Sequence, residues 1–262
     1  MSLFDLSGKN ALITGATGYL GKEMAIALAS SGAHVFINSR TKDKCDRLVS
    51  ELVEKGFSAT AAPFDVTNHD AVKLFIKSIK ANHIDIIVNN SYSGGAGSVE
   101  LASSEAYRDA YESSLVSSAN LFTSALPLLR KAVNINGYAS VINIASMYGV
   151  VSPDQRIYDS MSVVNPPFYG TAKAALIHWT KYAGCEFAKE NIRINCISPG
   201  PFPSVQVQEN AVDLVEKISA KVPMGRIGMA NEIAGPVVFL ASPASSFMVG
   251  ANIPVDGGWT CW

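Results

Sequence analysis

Two residues four positions apart, Tyr169 and Lys173, have side chains that together could transfer a proton. The chain continues from Lys173 to Gly184 without an intervening Gly or Pro, so we expect a helix that carries both side chains on one face. A phenol has a pKa near ~10 and is a poor acid at neutral pH, but an adjacent ammonium lowers that pKa. The pair therefore predicts a general acid/base.

A hydroxyl group is expected beside this pair. Ser146 follows the apolar run at residues 141–145, which we interpret as a buried parallel strand. Open α/β sheets bind ligands at the carboxyl ends of their strands. A half-exposed tyrosine beside a solvated lysine, with no catalytic role, would show the same spacing in the sequence. The elements that position these residues are therefore needed to distinguish a catalytic pair from a surface pair.

The amino-terminal part of the chain reads as a strand, a glycine-rich turn and a helix. An apolar run at residues 10–14 leads into Gly15, Gly18 and Gly21. These glycines let the backbone turn tightly and approach a pyrophosphate, whose charge lies at the positive end of the following helix. The predicted nucleotide-binding turn also includes Thr17, Tyr19 and Leu20.

The end of the next predicted strand, residues 34–38, indicates which dinucleotide is bound. A carboxylate after this strand would accept a hydrogen bond from a free ribose 2'-hydroxyl, but Ser39 and Arg40 stand there. An arginine beside a hydroxyl suits a 2'-phosphate. We therefore favour NADP(H), with NAD(H) as the alternative; Arg40 could also simply open the polar helix at residues 41–56.

The remaining pattern alternates strands and helices. Further strands are predicted at residues 59–66, 84–89, 140–145, 193–197 and 252–255, and helices at 105–133, 208–221 and 231–240, with Thr67 or Asn68 capping another helix. The helix at 208–221 is expected to be a mobile lid. The whole chain, residues 1–262, is predicted to be one α/β domain: a Rossmann-type, doubly wound parallel sheet of about seven strands with helices on both faces.

Composition excludes several other classes of protein. Hydrophobic residues make up 48% of the chain and charged residues 16%, and the net charge of -1 offers no basic field for nucleic acid. The 4 cysteines lack metal-ligand or redox spacing, so we expect no metal site. Without a signal peptide or an apolar run of membrane length, we expect a soluble cytoplasmic protein that acts on a small molecule.

Five motifs occur in this order along the chain: the glycine-rich turn, Asn89-Asn90, Ser146, the Tyr169–Lys173 pair and Ser198-Pro199-Gly200. With these motifs the chain resembles the short-chain dehydrogenase/reductase family. The resemblance extends over essentially the whole chain. It implies that Tyr169 is the general acid/base, that Lys173 lowers its pKa and binds the nicotinamide ribose, and that Ser146 stabilises the substrate oxygen. The remaining positions implied to contact the cofactor are Asp65 and Val66 at the adenine, Asn89 at the adenosine ribose, and Pro199, Gly200 and Phe202 at the nicotinamide.

Three positions depart from the family pattern. Tyr19 stands where the middle glycine is usual, and the Asn89-Asn90 motif continues with Ser91-Tyr92 instead of Ala-Gly, so we expect Tyr92 to reach the substrate. Ser114 occupies the position of an asparagine that helps to hold a proton-relay water. We expect Ser114 to bind that water instead.

The segment between Ser146 and Tyr169 is longer than in most members and contains a polar insert at residues 152–162. A steroid or fatty-acyl pocket would be more apolar, so we expect a hydroxylated or anionic substrate, with Arg156 as an anion contact; a solvated flap is the alternative. These features are similar to dehydrogenases of flagellin-modification and nonulosonic-acid pathways and, more distantly, to gluconate 5-dehydrogenases.

The sequence thus predicts an NAD(P)(H)-dependent oxidoreductase that interconverts a secondary alcohol and a ketone on a sugar-like or sugar-acid substrate. The alternatives are a 3-oxoacyl-thioester reductase and a non-catalytic nucleotide-binding scaffold. The family resemblance also implies a homotetramer, or a homodimer, built on the helices at residues 105–133 and 168–189.

Overall fold

A parallel sheet forms the centre of the computed structural model, which describes residues 3–262. Within these residues the strands are β1 (Asn10–Ile13), β2 (His34–Ser39), β3 (Ala59–Pro63), β4 (Ile86–Asn89), β5 (Ala139–Ile144), β6 (Ile192–Pro199) and β7 (Asn252–Val255). They lie in the order β3-β2-β1-β4-β5-β6-β7, and every neighbouring pair is parallel. The direction of winding reverses between β1 and β4, which is where an open α/β sheet binds its ligand.

Helices cover both faces of this sheet. The helices of the described chain are α1 (Tyr19–Ser30), α2 (Lys42–Glu54), α3 (His69–Ser78), α4 (Ser104–Tyr111), α5 (Ser117–Asn136), α6 (Pro167–Phe187), α7 (Val205–Asn210), α8 (Val212–Lys221) and α9 (Ala234–Ala241). Ile13 of β1 packs in the cluster with α1, α2 and α9, whereas Leu12 packs in the cluster with α3 and α5. This alternation confirms the predicted doubly wound α/β fold.

None of the helices in residues 3–262 has the length and apolar character that a bilayer span requires.

Three predicted elements differ from the structure. β3 ends at Pro63, which pairs with Ser39, the last residue of its neighbour β2, so Asp65 and Val66 lie in the following loop. The predicted helix 208–221 is two helices, α7 and α8, because Ala211 leaves the helical conformation (φ -137°, ψ 53°). The long helix at 105–133 is interrupted by a π-helical turn, Glu112–Val116, that joins α4 to α5.

A buried arginine ties β6 to the end of α9. The Arg193 guanidinium donates to the carbonyls of Leu240 (3.1 Å), Ser242 (3.1 Å) and Ser245 (3.0 Å), and its Cζ lies 5.4 Å from the centroid of the Tyr138 ring. Backbone carbonyls therefore satisfy this cation inside the protein.

Replacing Arg193 with methionine is expected to lower the free energy of unfolding by about 3 kcal/mol, because three buried carbonyls and the Ser245 hydroxyl each lose a charged hydrogen-bond donor. Urea unfolding followed by tryptophan fluorescence measures this change. Arg130→Met is the matched control: Arg130 pairs with Glu190 at 2.7 Å on the surface, and an exposed pair contributes about 1 kcal/mol or less. Equal losses in the two variants would contradict the prediction.

Candidate active site

The predicted catalytic residues meet beyond the carboxyl end of β5. Ser146 lies two residues after β5, and Tyr169 and Lys173 lie in the first two turns of α6. Pro167 is the first residue of that helix, a position where its missing N–H costs nothing. The sequence predictions of a strand before Ser146 and of a helix carrying the pair are confirmed.

Ser146 and Tyr169 are directly coupled. Ser146 is buried, its hydroxyl accepts a hydrogen bond from the backbone N–H of Tyr148 (3.1 Å), and it interacts with the Tyr169 phenol. Burial raises the pKa of the Tyr169 phenol, and the interaction with Ser146 lowers that pKa. Ser146 thus favours the deprotonated form of the phenol.

Lys173 is buried near the Tyr169 ring. Its Nζ donates to the carbonyl of Ile144 (2.7 Å) and lies 5.3 Å from the ring centroid of Tyr92 and 5.8 Å from that of Tyr169. Burial lowers the pKa of Lys173 to about 8, partly offset by its electrostatic interaction with the Cys196 thiol.

That Lys173 lowers the pKa of Tyr169 stays a prediction, since the causes that act on the Tyr169 phenol in this structure are burial and Ser146. The ammonium is bound to the Ile144 carbonyl, and the net direction at the Tyr169 phenol is set by burial, which raises its pKa. The residue that lowers it is Ser146.

A cavity of about 570 Å³ lies between the glycine-rich turn and the ends of β2 and β4. Gly15 has a φ of +60°, and a side chain on Gly21 would overlap the Gly15 carbonyl, so both positions require glycine. Gly18 caps the amino terminus of α1. All six predicted turn residues line this cavity: Gly15, Thr17, Gly18, Tyr19, Leu20 and Gly21.

Positive charge is concentrated at the β2 end of this cavity. Ser39 and Arg40 line it as predicted, together with Thr41 and Lys44. Arg40 is exposed, and no ion pair holds its guanidinium anywhere in residues 3–262. Sequence reasoning missed Lys44; its place in the first turn of α2, just after Arg40, was the available signal. Two cations and a hydroxyl fit the 2'-phosphate of NADP(H).

Residues predicted at the adenosine separate into two groups. Asp65 and Val66 line the cavity, and the Asp65 carboxylate accepts from the backbone N–H (2.9 Å) and hydroxyl (2.8 Å) of Thr67. Asn89 does not line it, because its buried amide donates to Asn143 Oδ1 (2.8 Å). Asn90 lies there instead, and its amide donates to the carbonyls of Thr14 and Gly15.

The residues predicted at the nicotinamide lie outside the 570 Å³ cavity. Pro199 is the last residue of β6, and Gly200 has no room for a side chain because it packs on Asp256. Phe202 lines a separate cavity of about 100 Å³.

Ser114 lies in the π-helical turn, buried near Ser113 of the cavity wall. Its carbonyl accepts from the Ser118 hydroxyl (2.6 Å), and its own Oγ has no hydrogen-bond partner within the described chain. A buried hydroxyl without a partner is costly unless a water or ligand satisfies it. This fits a bound water, as predicted for the proton relay.

The polar insert is bound to α8, in the segment predicted to be a lid. Asp154 accepts from the guanidinium of Arg156 (2.9 Å) and pairs with Lys221, while Asp159 pairs with Lys217 (2.6 Å). Gln208 in α7 donates to Tyr19 Oη (3.2 Å), so α7 is bound to the glycine-rich turn and α8 to the insert.

Arg156 is therefore not where the sequence prediction put it. Its side chain is 87% exposed and already paired with Asp154, so it is not brought to Ser146 and Tyr169. A second cavity, of about 360 Å³, is bordered by Tyr148 and by Gln155 of the insert, and Arg156 does not line it.

The chain is similar to known proteins along nearly its whole length. Residues 15–260 match the family model described as enoyl-(acyl carrier protein) reductase. The chain is 31% identical over 260 residues to the rhamnolipids biosynthesis 3-oxoacyl-(acyl-carrier-protein) reductase of Pseudomonas aeruginosa, with 98% of each chain covered.

Two solved structures are similar as well. The Pseudomonas aeruginosa RhlG/NADP active-site complex has a TM-score of 0.89 at 30% identity, with 99% of each chain covered. A gluconate 5-dehydrogenase from Burkholderia cenocepacia, in complex with NADP and tartrate, has a TM-score of 0.86 at 28% identity, with 99% of this chain and 98% of that chain covered.

Proposed function

We propose that this chain, which belongs to the short-chain dehydrogenase/reductase family, interconverts a secondary alcohol and a ketone on a polar, sugar-like or sugar-acid substrate with NADP(H). The observation that carries the proposal is the grouping of Ser146, Tyr169 and Lys173 beside the cavity of the glycine-rich turn. An acid/base, an oxygen-binding hydroxyl and a nucleotide cavity at one edge of the sheet are what this reaction requires.

The cofactor proposal depends on charge. Arg40 and Lys44 border the β2 end of the cavity and would hold a 2'-phosphate, while the amino terminus of α1 would hold the pyrophosphate. Two similar solved structures are described as NADP complexes. When bound, NADP(H) supplies or accepts the hydride.

The residues of the chain handle the proton and the substrate oxygen. Tyr169 donates its proton to the ketone oxygen in reduction and takes it back in oxidation. Ser146 hydrogen-bonds the same oxygen as negative charge develops on it. Lys173 would hold the ribose hydroxyls of the nucleotide with its ammonium, and Ser114 would hold a water that resupplies the proton.

The lining of the 360 Å³ cavity supports a polar substrate. Ser152, Gln155, Asn165 and Thr171 border it, and Asn165 Oδ1 is buried without a partner in residues 3–262. Such an oxygen would accept from a substrate hydroxyl. The similar gluconate 5-dehydrogenase is described with bound tartrate, a hydroxylated diacid. Tyr92 lines the 570 Å³ cavity and not this one; its ring contacts that of Tyr169, and its buried hydroxyl also has no partner in the described residues.

Reduction of a 3-oxoacyl thioester is the alternative reaction. The printed names of the matching family model and of the 31% identical relative favour it. Val99, Val150, Val151 and Val164 also border the 360 Å³ cavity and could contact an acyl chain.

A substrate competition experiment separates the two. NADPH oxidation is measured with a panel of keto-sugars and keto-sugar acids, including 5-ketogluconate, and with acetoacetyl thioesters. We expect kcat/KM at least about tenfold higher for a keto-sugar acid, a difference that one or two extra hydrogen bonds to substrate hydroxyls would produce. A higher kcat/KM for the thioesters would reverse the assignment.

A nucleotide-binding scaffold without turnover is the third interpretation, supported by Ser114 and Tyr19 at altered family positions. Tight NADPH binding with no turnover over the whole panel would favour it.

We also propose self-association through α5 and α6, where Val116 beside α5 and Tyr182 on α6 expose apolar surface. Light scattering that gives a monomer mass at micromolar concentration would contradict this.

A further inference from the structure

We propose that Tyr92 is a positioning residue whose ring holds the ammonium of Lys173 and abuts the ring of Tyr169. The inference rests on the proposed function, since it concerns the same site. It assigns to the Tyr92 ring a task that is separate from any contact between its hydroxyl and the substrate.

The Tyr92 ring is wedged between the catalytic residues and α4. It packs with Ala110 and Phe168, and its edge meets the Tyr169 ring with centroids 4.7 Å apart and an interplanar angle of 69°. Such an edge-to-face contact is favourable and directional. Movement of the Tyr92 ring would therefore remove a packing contact that positions the Tyr169 ring.

The same ring faces the cation. Lys173 Nζ lies 5.3 Å from its centroid, within the range of a cation–π interaction, and donates to the Ile144 carbonyl on its other side. The site is buried, and a desolvated cation–π contact is stronger than an exposed one. The ring therefore favours the protonated form of Lys173, against the burial that lowers its pKa.

Other charged groups around Lys173 do not replace this contact. Tyr169 and Cys196 face it from α6 and β6, and burial raises the pKa of the Cys196 thiol to about 12, which keeps it neutral. The carboxylates of Asp109 and Glu112 line the neighbouring 570 Å³ cavity, and Glu112 is paired with His69 (3.0 Å).

A glycine makes room for the Tyr92 phenol. A Cβ atom added at Gly94 would overlap the Tyr92 hydroxyl oxygen and would lie 2.8 Å from Tyr92 Cζ. Gly94→Ala therefore displaces the ring without removing any atom of it. This provides a second way to test the contact.

The experiment measures NADPH affinity against pH by nicotinamide fluorescence for the wild type, Tyr92→Phe, Tyr92→Leu and Gly94→Ala. Protonated Lys173 is the stronger donor to the ribose hydroxyls, so affinity falls as the pH rises through its pKa. Tyr92→Phe keeps the ring and should keep the wild-type midpoint. Tyr92→Leu and Gly94→Ala should lose affinity about one pH unit lower, a roughly tenfold change in the ionisation constant.

Two failures are distinguishable. If the wild type does not bind NADPH, the proposed function fails and the inference fails with it. If the wild type binds and the midpoints of Tyr92→Phe and Tyr92→Leu are equal, the proposed function stands and the role of the Tyr92 ring is refuted. A shift in Gly94→Ala alone would also refute it, because it would come from the backbone and not from the ring.

Discussion

Replacing Tyr169 with phenylalanine is expected to lower kcat by about a thousandfold while NADPH affinity stays within about threefold. The substitution removes one hydroxyl and keeps the ring, so the contact with Tyr92 at 4.7 Å and the fold of α6 are retained. What is lost is the proton donor and its interaction with Ser146. Steady-state NADPH oxidation and a fluorescence titration measure the two quantities.

Tyr182→Phe is the matched control for this variant. Tyr182 lies on the same helix but is 70% exposed, so loss of its hydroxyl should leave kcat unchanged. Retention of more than about a tenth of wild-type kcat in Tyr169→Phe would show that another group supplies the proton, because general acid/base catalysis contributes at least about a hundredfold.

Arg40→Asp is expected to weaken NADPH binding by about a hundredfold and to leave NADH binding unchanged or tighter. The change removes a cation from the end of the 570 Å³ cavity and puts a carboxylate near the 2'-phosphate. The same carboxylate can accept a hydrogen bond from the free 2'-hydroxyl of NADH. Dissociation constants for the two nucleotides at one ionic strength give the ratio.

Arg47→Asp is the control for net charge. Arg47 lies on α2, its guanidinium donates to the Asp43 carbonyl, and it does not line the cavity. If its reversal weakened NADPH binding as much as reversal at Arg40, the effect would come from the overall field of the protein and not from a phosphate contact.

Local sequence patterns predicted the frame of the site correctly. Gly15, Gly18 and Gly21 lie where β1 passes through a tight turn into α1, because the strand, the turn and the helix are each specified by adjacent residues. Tyr169 and Lys173 lie on the same side of α6 because four residues make about one helical turn. The alternation of strands and helices likewise left few topologies open.

The direction in which each side chain points was the feature of the site that sequence patterns did not predict. Asn89 and Asn90 are adjacent and identical, but the strand pleat directs Asn89 to Asn143 in the core and leaves Asn90 at the cavity. Arg156 was expected at the substrate, but Asp154, two residues earlier, takes its guanidinium. The bond from Lys173 to the Ile144 carbonyl links α6 to β5, and no local pattern encodes such a contact.

Titration of the purified protein with NADPH and NADH, followed by nicotinamide fluorescence, tests the central claim most directly. With Arg40 and Lys44 at the cavity, NADPH should bind at least about tenfold more tightly than NADH. Equal or tighter binding of NADH would contradict the phosphate contact and keep the dehydrogenase proposal. Binding of neither nucleotide would contradict the account as a whole.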